Sequence, residues 1–299
     1  MINKLITLFL FSSSLVYSQD YVDLFSINFA HSNPTNYKNS TEKTSINNFE
    51  TAFTLPIIHS EKYVYITGID FNKNSVALFP NSINSLITTR LKAGINIKYS
   101  ERWSGTYLFL PKIASDYITI SKEDFYVGGV LLLKFKQKKN LIYKFGIYAS
   151  SEAYGLFLTP IANMYYKSPN NSFEMNLTLP TDFDFNYRIA SATKIGMDYI
   201  AIGKSYKLTT ANVRATYAEN NSLQFSVYVQ NNSINKNVNM RLKTGIQIND
   251  YNVYPIDQKI DYRISALKFG DNRTQLNSKL SNSVYFMAEA IYRFDIPSK

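Results

Sequence analysis

Side chains along much of this chain alternate between apolar and polar with a period of two. In 238–248, Val238, Met240, Leu242, Thr244, Ile246 and Ile248 fall on one face and Asn239, Arg241, Lys243, Gly245 and Gln247 on the other. The final segment sets Val284, Phe286, Ala288, Ala290, Tyr292 and Phe294 against Glu289 and Arg293. Residues 182–189 alternate Asp182, Asp184, Asn186 and Arg188 with Phe183, Phe185, Tyr187 and Ile189, and 91–99 repeat the pattern. A two-residue period with unlike faces marks a strand between unlike surroundings; helical spacing fits none of these windows. Beyond its first residues the chain has no apolar run near the ~20 residues that a spanning helix needs. Any membrane crossing must therefore be a closed barrel, which leaves no strand edge unpaired in lipid.

The N-terminus points to export. Met1–Lys4 is short and positive, Leu5–Phe11 is apolar, and small residues up to Ser18 precede Gln19. That order predicts a signal peptide over 1–18, cleaved after Ser18, with one barrel domain over 19–299. With no cysteine, lipid anchoring through cysteine, disulfides and thiolate metal sites are excluded. The expected location is the outer membrane of a Gram-negative cell, with lipids and a small solute as partners and no nucleic acid.

Composition supports the same class. Twenty-four Tyr and twenty Phe stand beside a single Trp, yet mean hydropathy is −0.19. A soluble protein this aromatic would carry long apolar core segments, whereas a membrane barrel spreads apolar residues one in two and places Tyr at the lipid boundaries. The formal charge of +10 is dispersed along the chain, as expected for solvated faces and loops.

Sixteen candidate strands can be drawn: near 22–30, 45–57, 62–72, 85–99, 103–114, 124–136, 141–150, 156–167, 172–180, 182–189, 193–204, 209–217, 222–230, 238–248, 258–268 and 283–294. Neighbouring short segments can merge, so the expectation is an all-β, single antiparallel transmembrane barrel of about fourteen strands (twelve to sixteen), both termini inside. Short turns at 59–61, 100–102, 138–140 and 169–171 nearly alternate with longer connections at 31–44, 73–84 and 115–123, the asymmetry of short periplasmic turns and long outer loops. On this parity 231–237 and 269–282 are outer loops, and 249–257 is too long for its side.

The middle and end of the chain resemble a family of uncharacterised outer-membrane barrel proteins from Bacteroidetes-type bacteria. The resemblance is carried by Trp103 with Pro111, Lys112, Ser115 and Asp116, and by Lys144-Phe145-Gly146-Ile147-Tyr148. Gly155, Pro160 and Tyr165-Tyr166 follow, then Leu179-Pro180 and Phe185-Asn186-Tyr187-Arg188. It closes on Phe269-Gly270-Asp271-Asn272-Arg273, Leu276-Asn277 and Tyr292-Arg293-Phe294. The resemblance implies an outer-membrane barrel and assigns no activity. The chain departs from an aromatic C-terminus by continuing past Phe294.

Chemistry is sparsely signalled. The two histidines, His31 and His59, lack metal-ligand spacing. His31 beside Ser32 near the outer side is the one place for a lipid hydrolase, which His31→Ala would abolish. Asp182 and Asp184 share a strand face and read as lumenal polar residues. No catalytic, metal or cofactor-binding residue is assigned, and no phosphate-binding glycine loop or dinucleotide fingerprint occurs. Alternation places Lys92, Lys98, Lys144, Arg188, Lys194, Arg241, Lys243, Arg263 and Arg293 on the inner face, with Asp70, Glu174, Asp182, Asp184, Asp198, Asp261 and Glu289. These are the candidate lumen-lining residues for a channel or binding protein for a small polar or amphipathic solute. The rival class is a secreted or surface β-sandwich binding glycans or a partner protein, which would need no detergent.

Overall fold

A computed structural model describes residues 21–295 except 39, 81 and 210–214. The signal peptide expected over 1–18 lies outside the described residues. Fourteen strands form the wall: β1 Tyr21–Ser32, β2 Asn47–Ile58, β3 Tyr63–Phe79, β4 Ser82–Lys98, β5 Trp103–Phe109, β6 Gly128–Lys138 and β7 Leu141–Glu152. The second half gives β8 Gly155–Lys167, β9 Phe173–Leu179, β10 Asp182–Ala190, β11 Thr193–Ala201, β12 Leu223–Asn231, β13 Val238–Ile248 and β14 Ser283–Asp295. Each pairs antiparallel with the next, and β14 returns to β1 with Phe29 opposite Ala288 and Val22 opposite Phe294. The sheet is closed, which rules out the β-sandwich.

Alternation explains the closure. Phe25, Ile27, Phe29, Leu131, Leu133, Val227, Val229, Leu242 and Phe286 are exposed on the outer face. In water so continuous an apolar surface would be untenable; in lipid it is the solvated side. Trp103 packs on Phe135 and Tyr166 on Phe173 around one end, where Tyr99, Tyr187 and Tyr292 are also exposed. This is an aromatic girdle at a membrane boundary. No helix among the described residues is long and apolar enough to cross a membrane. The architecture is that of an outer-membrane β-barrel.

The connections differ sharply between the two ends. The near end, which holds both wall termini, has the short links 59–62, 99–102, 139–140, 168–172, 191–192 and 232–237. The far end carries the excursions 33–46, 110–127, 202–222 and 249–282. Three expectations are corrected here. Residues 73–84 are not a long loop, because β3 and β4 run on as a hairpin whose Val76, Leu78 and Leu86 are buried. Of the expected strand 209–217, residues 210–214 lie outside the described residues and Thr216 and Tyr217 belong to a strand that pairs outside the wall; the expected strand 258–268 is not in the wall either. Their loss shifts the parity, so 231–237 is a near-end turn and 249–282 one far-end excursion.

Those excursions build a cap. Lys204–Leu208, Thr216–Asn220 and Tyr251–Pro255 form a three-stranded antiparallel sheet, with Tyr206 opposite Ala218 and Ala218 opposite Val253. Tyr206, Tyr217, Ala218, Tyr251 and Val253 are fully buried against Val76, Leu78 and Leu86 of β3 and β4 and Phe157 of β8. Because those wall residues point inward, the cap fills the far mouth of the barrel. It holds the main cluster of buried apolar side chains, where a soluble protein would have its central core.

Candidate lumenal site

Below the cap lies a cavity of about 740 Å³. Val130, Tyr148, Phe157 and Ile161 of β6–β8 give it an apolar wall, and Asn28, Asn72, Asp70 and Arg90 line it from β1, β3 and β4. Its roof is the underside of the cap, including Asn220 and Asn221, and Arg263. The cavity also reaches Pro180, Thr181, Tyr199 and Leu223. Tyr199 and Leu223 occupy outward positions of β11 and β12, so the cavity extends sideways over the low rim of the four short strands β9–β12.

The cavity wall is electrostatically ordered. Asp70 accepts from Arg90 at 2.6 and 2.9 Å and pairs with Lys92 at 2.5 Å, while Lys92 also donates to Thr54 at 2.9 Å. One carboxylate thus serves two cations. Lys112 pairs with Glu152, both buried. Ser205 of the cap donates to the other Glu152 oxygen at 2.6 Å, so the same ion pair ties wall to cap.

A second layer covers the inner faces of β9–β14. Arg241 meets Asp184 at 2.9 Å and Glu289 at 3.6 Å, and donates to Gln230 at 2.8 Å. Lys243 meets Asp198 at 2.7 Å and Glu289 at 3.0 Å. The Tyr228 ring lies under Arg241, 4.6 Å from centroid to guanidinium carbon, and its hydroxyl donates to Asp184 at 2.5 Å. That ring lies flat on the wall because Gly196 beside it has no Cβ; one would collide with the ring. Lys194 meets Glu174 at 2.9 Å and Arg293 meets Asp23 at 2.6 Å, extending the network to the near rim.

Of the candidate lumenal residues, Lys92, Arg241, Lys243, Lys194 and Arg293 occupy these inner-face ion pairs. Lys98 pairs with Glu101 in the near turn at 2.7 Å, and Arg188 is exposed near the same rim. Lys144 faces the lumen opposite Lys134 of β6. Arg263 is buried, but on Tyr262–Ile264, a short strand lying parallel to the upper part of β8. Asp261 is exposed at the start of that segment rather than on an inner wall face. Asp182 accepts from Thr181 at 2.8 Å, separated in role from Asp184.

His31 and Ser32 point to opposite faces of β1. His31 is exposed and contacts Asn47 at 2.7 Å, while Ser32 is buried and accepts from the Ile46 amide at 2.8 Å. Adjacent strand residues cannot form a nucleophile–base pair when they face opposite ways. The His59 ring lies beside Tyr65.

Arg90, Lys134 and the cap's Glu219 escape the sequence reading, and Lys112 and Arg273 enter it only as residues of the resemblance, not as site candidates. Lys134 was legible in principle: Val130, Leu132, Lys134 and Lys136 share a face, but the Leu131-Leu132-Leu133 run blurs the period. Glu219 and Arg273 are distant in sequence, and only folding joins them in a buried pair. Hydrogen bonds from Arg273 hold the neighbouring Asp271 carboxyl down at about 2, so Asp271 stays ionised across the physiological range.

No protein-family model and no curated protein matches the chain. Among solved structures, it is similar to the NanC porin at 9% identity and TM-score 0.37, covering 90% of this chain and 98% of that chain. The translocator domain of the autotransporter NalP from Neisseria meningitidis gives 8% identity and TM-score 0.33, covering 97% and 93%. The Pseudomonas putida toluene transporter TodX gives 10% identity and TM-score 0.32, covering 93% and 91%. The closed fourteen-stranded wall rests on the strand pairing above.

Proposed function

We propose that this protein, exported by its first eighteen residues, is a capped outer-membrane barrel that takes a small amphipathic solute into its lumen. It acts as a carrier site or gated path rather than an open pore. The observation that carries this reading is the cavity of about 740 Å³, with an apolar wall on β6–β8 facing the Asp70–Arg90 pair, which Lys92 supports through Asp70. Ligand sites characteristically combine an apolar lining with a few fixed polar groups. An open porin lumen would lack the buried cap. The sideways reach of the cavity brings it close to the lipid-facing surface, which suits a solute with an apolar part. Of the candidate lumenal residues, Asp70, Lys243, Arg263 and Glu289 line this cavity and belong to this reading as its polar lining. The resemblance to uncharacterised Bacteroidetes barrels belongs to it too.

Native mass spectrometry of the detergent-extracted protein with medium-chain alcohols, amines and carboxylates tests the site. Wild type retains at least one class, and Ile161→Trp, which fills the cavity from β8, loses it at least about tenfold. Equal retention by both proteins, or none by either, would overturn the proposal.

A further inference from the structure

We propose that Lys134, Lys144 and Ser104 form a binding site for a small oxyanion, a phosphate or carboxylate group, in the near half of the lumen. It lies below the amphipathic cavity, whose lining includes none of the three, and it does not depend on that cavity's occupant. Strand register builds a continuous inward row: Lys98 opposite Ser104, Ser104 opposite Lys134, Lys134 opposite Lys144, and Lys144 opposite Asn163. Two ammonium groups from directly paired positions therefore reach into the same space. Like charges placed opposite each other across strands are unfavourable unless something between them is negative.

Elsewhere the lumen supplies that charge from the protein itself. Arg90, Lys92, Lys112, Lys194, Arg241 and Lys243 each lie within 4.0 Å of a carboxylate. Lys134 and Lys144 have no carboxylate at that distance among the described residues. The carboxylate on the same row is Asp182, beyond Asn163 and Thr178; its charge reaches Lys144 only from beyond ion-pair distance, and it leaves Lys134 without a carboxylate. Lys98, at the other end, is neutralised by Glu101.

A second observation is independent of charge. The Ser104 hydroxyl, in a residue only 6% exposed, has no hydrogen-bond partner. A buried polar group without a partner costs free energy, and in a native fold it commonly awaits a ligand or ordered water. Asn163 spends its amide hydrogens on Asn176, Leu177 and Thr178, leaving its Oδ1 free to accept a lysine proton and orient it. Two ammonium donors and one hydroxyl donor match an oxyanion, to which charge-assisted hydrogen bonds are the strong kind.

Calorimetric titration of the full-length folded protein in detergent, at fixed ionic strength, tests this with inorganic phosphate in one arm and acetate in the other. Wild type is expected to saturate with at least one of them, the preferred arm identifying the head group. Lys134→Gln/Lys144→Gln should weaken that binding at least about tenfold. Ser104→Ala should weaken it a few-fold, and Lys43→Gln, exposed on the far-end excursion 33–46, should leave it unchanged. Gel mobility before and after boiling confirms that each variant is folded. No saturable binding of either anion by wild type, or equal binding by the double variant, would overturn the site. Solute retention at Ile161 is read separately, so failure of one site is distinguishable from failure of the other.

Discussion

Arg241→Met is expected to lower the unfolding free energy of the barrel by about 3–5 kcal/mol, the usual cost of removing one partner from a buried ion network. Arg241 touches Asp184, Glu289 and Gln230 and lies over Tyr228. Its side chain is 6% exposed. Methionine fills much of the volume but leaves Asp184 without its cation and Glu289 with Lys243 alone. The double variant Arg241→Met/Asp184→Asn should recover part of the loss, because one stranded charge is gone. Lys98→Met supplies the contrast: its partner Glu101 is open to solvent at the near turn, and stability should not change. Equilibrium urea unfolding in detergent or liposomes measures all three. Equal stability of wild type and Arg241→Met would show that the lumenal network is solvated rather than structural.

The other large effect concerns the cap. Replacing residues 204–220 by a short Gly-Ser linker removes two of the three cap strands and the Glu219 partner of Arg273 and Lys268. The wall strands β11 and β12 pair directly with each other below that excursion, from Thr193 opposite Asn231 to Ala201 opposite Leu223. The barrel therefore keeps its closure while its far mouth opens. Ionic current through planar bilayers should rise at least about tenfold over the capped protein, as expected when a plugged lumen becomes water-filled. Tyr206→Asp, a charge forced into the apolar core of the cap, should move the current in the same direction with little of the wall disturbed. Unchanged current in both variants would mean that the cap does not seal the lumen.

The wall was largely legible in the sequence because lipid and lumen impose opposite demands on successive residues. Segments such as 238–248 and 283–294 carry that contrast on both faces, and the structure places them as β13 and β14. The rule fails where the contrast disappears. Residues 73–84 looked like a loop because Asn72–Ser75 are polar on both faces. That stretch of β3 has risen past the apolar belt, with Lys73 exposed outside and Asn74 donating to cap Tyr251 inside. Residues 258–268 looked like a wall strand through its apolar and charged alternation, yet only Tyr262–Ile264 pair with β8. Short periods cannot say how far an alternating stretch runs or what it pairs with.

The lumenal residues were legible as a face but not as a site. Alternation assigns Lys243 and Lys144 the same inward direction, whereas Lys243 meets two carboxylates and Lys144 faces another lysine. That difference depends on which strands are neighbours and at what register. The cap was hidden for a related reason. Its strands are only five residues each, and Tyr251–Pro255 joins the other two only across the intervening wall strands β12 and β13.

Membrane fractionation followed by gel mobility before and after boiling tests the closed barrel most directly. The expected result is a protein confined to the outer-membrane fraction, requiring detergent for release, with a compact unboiled band that shifts on boiling. A protein released without detergent and unchanged in mobility by boiling would contradict it.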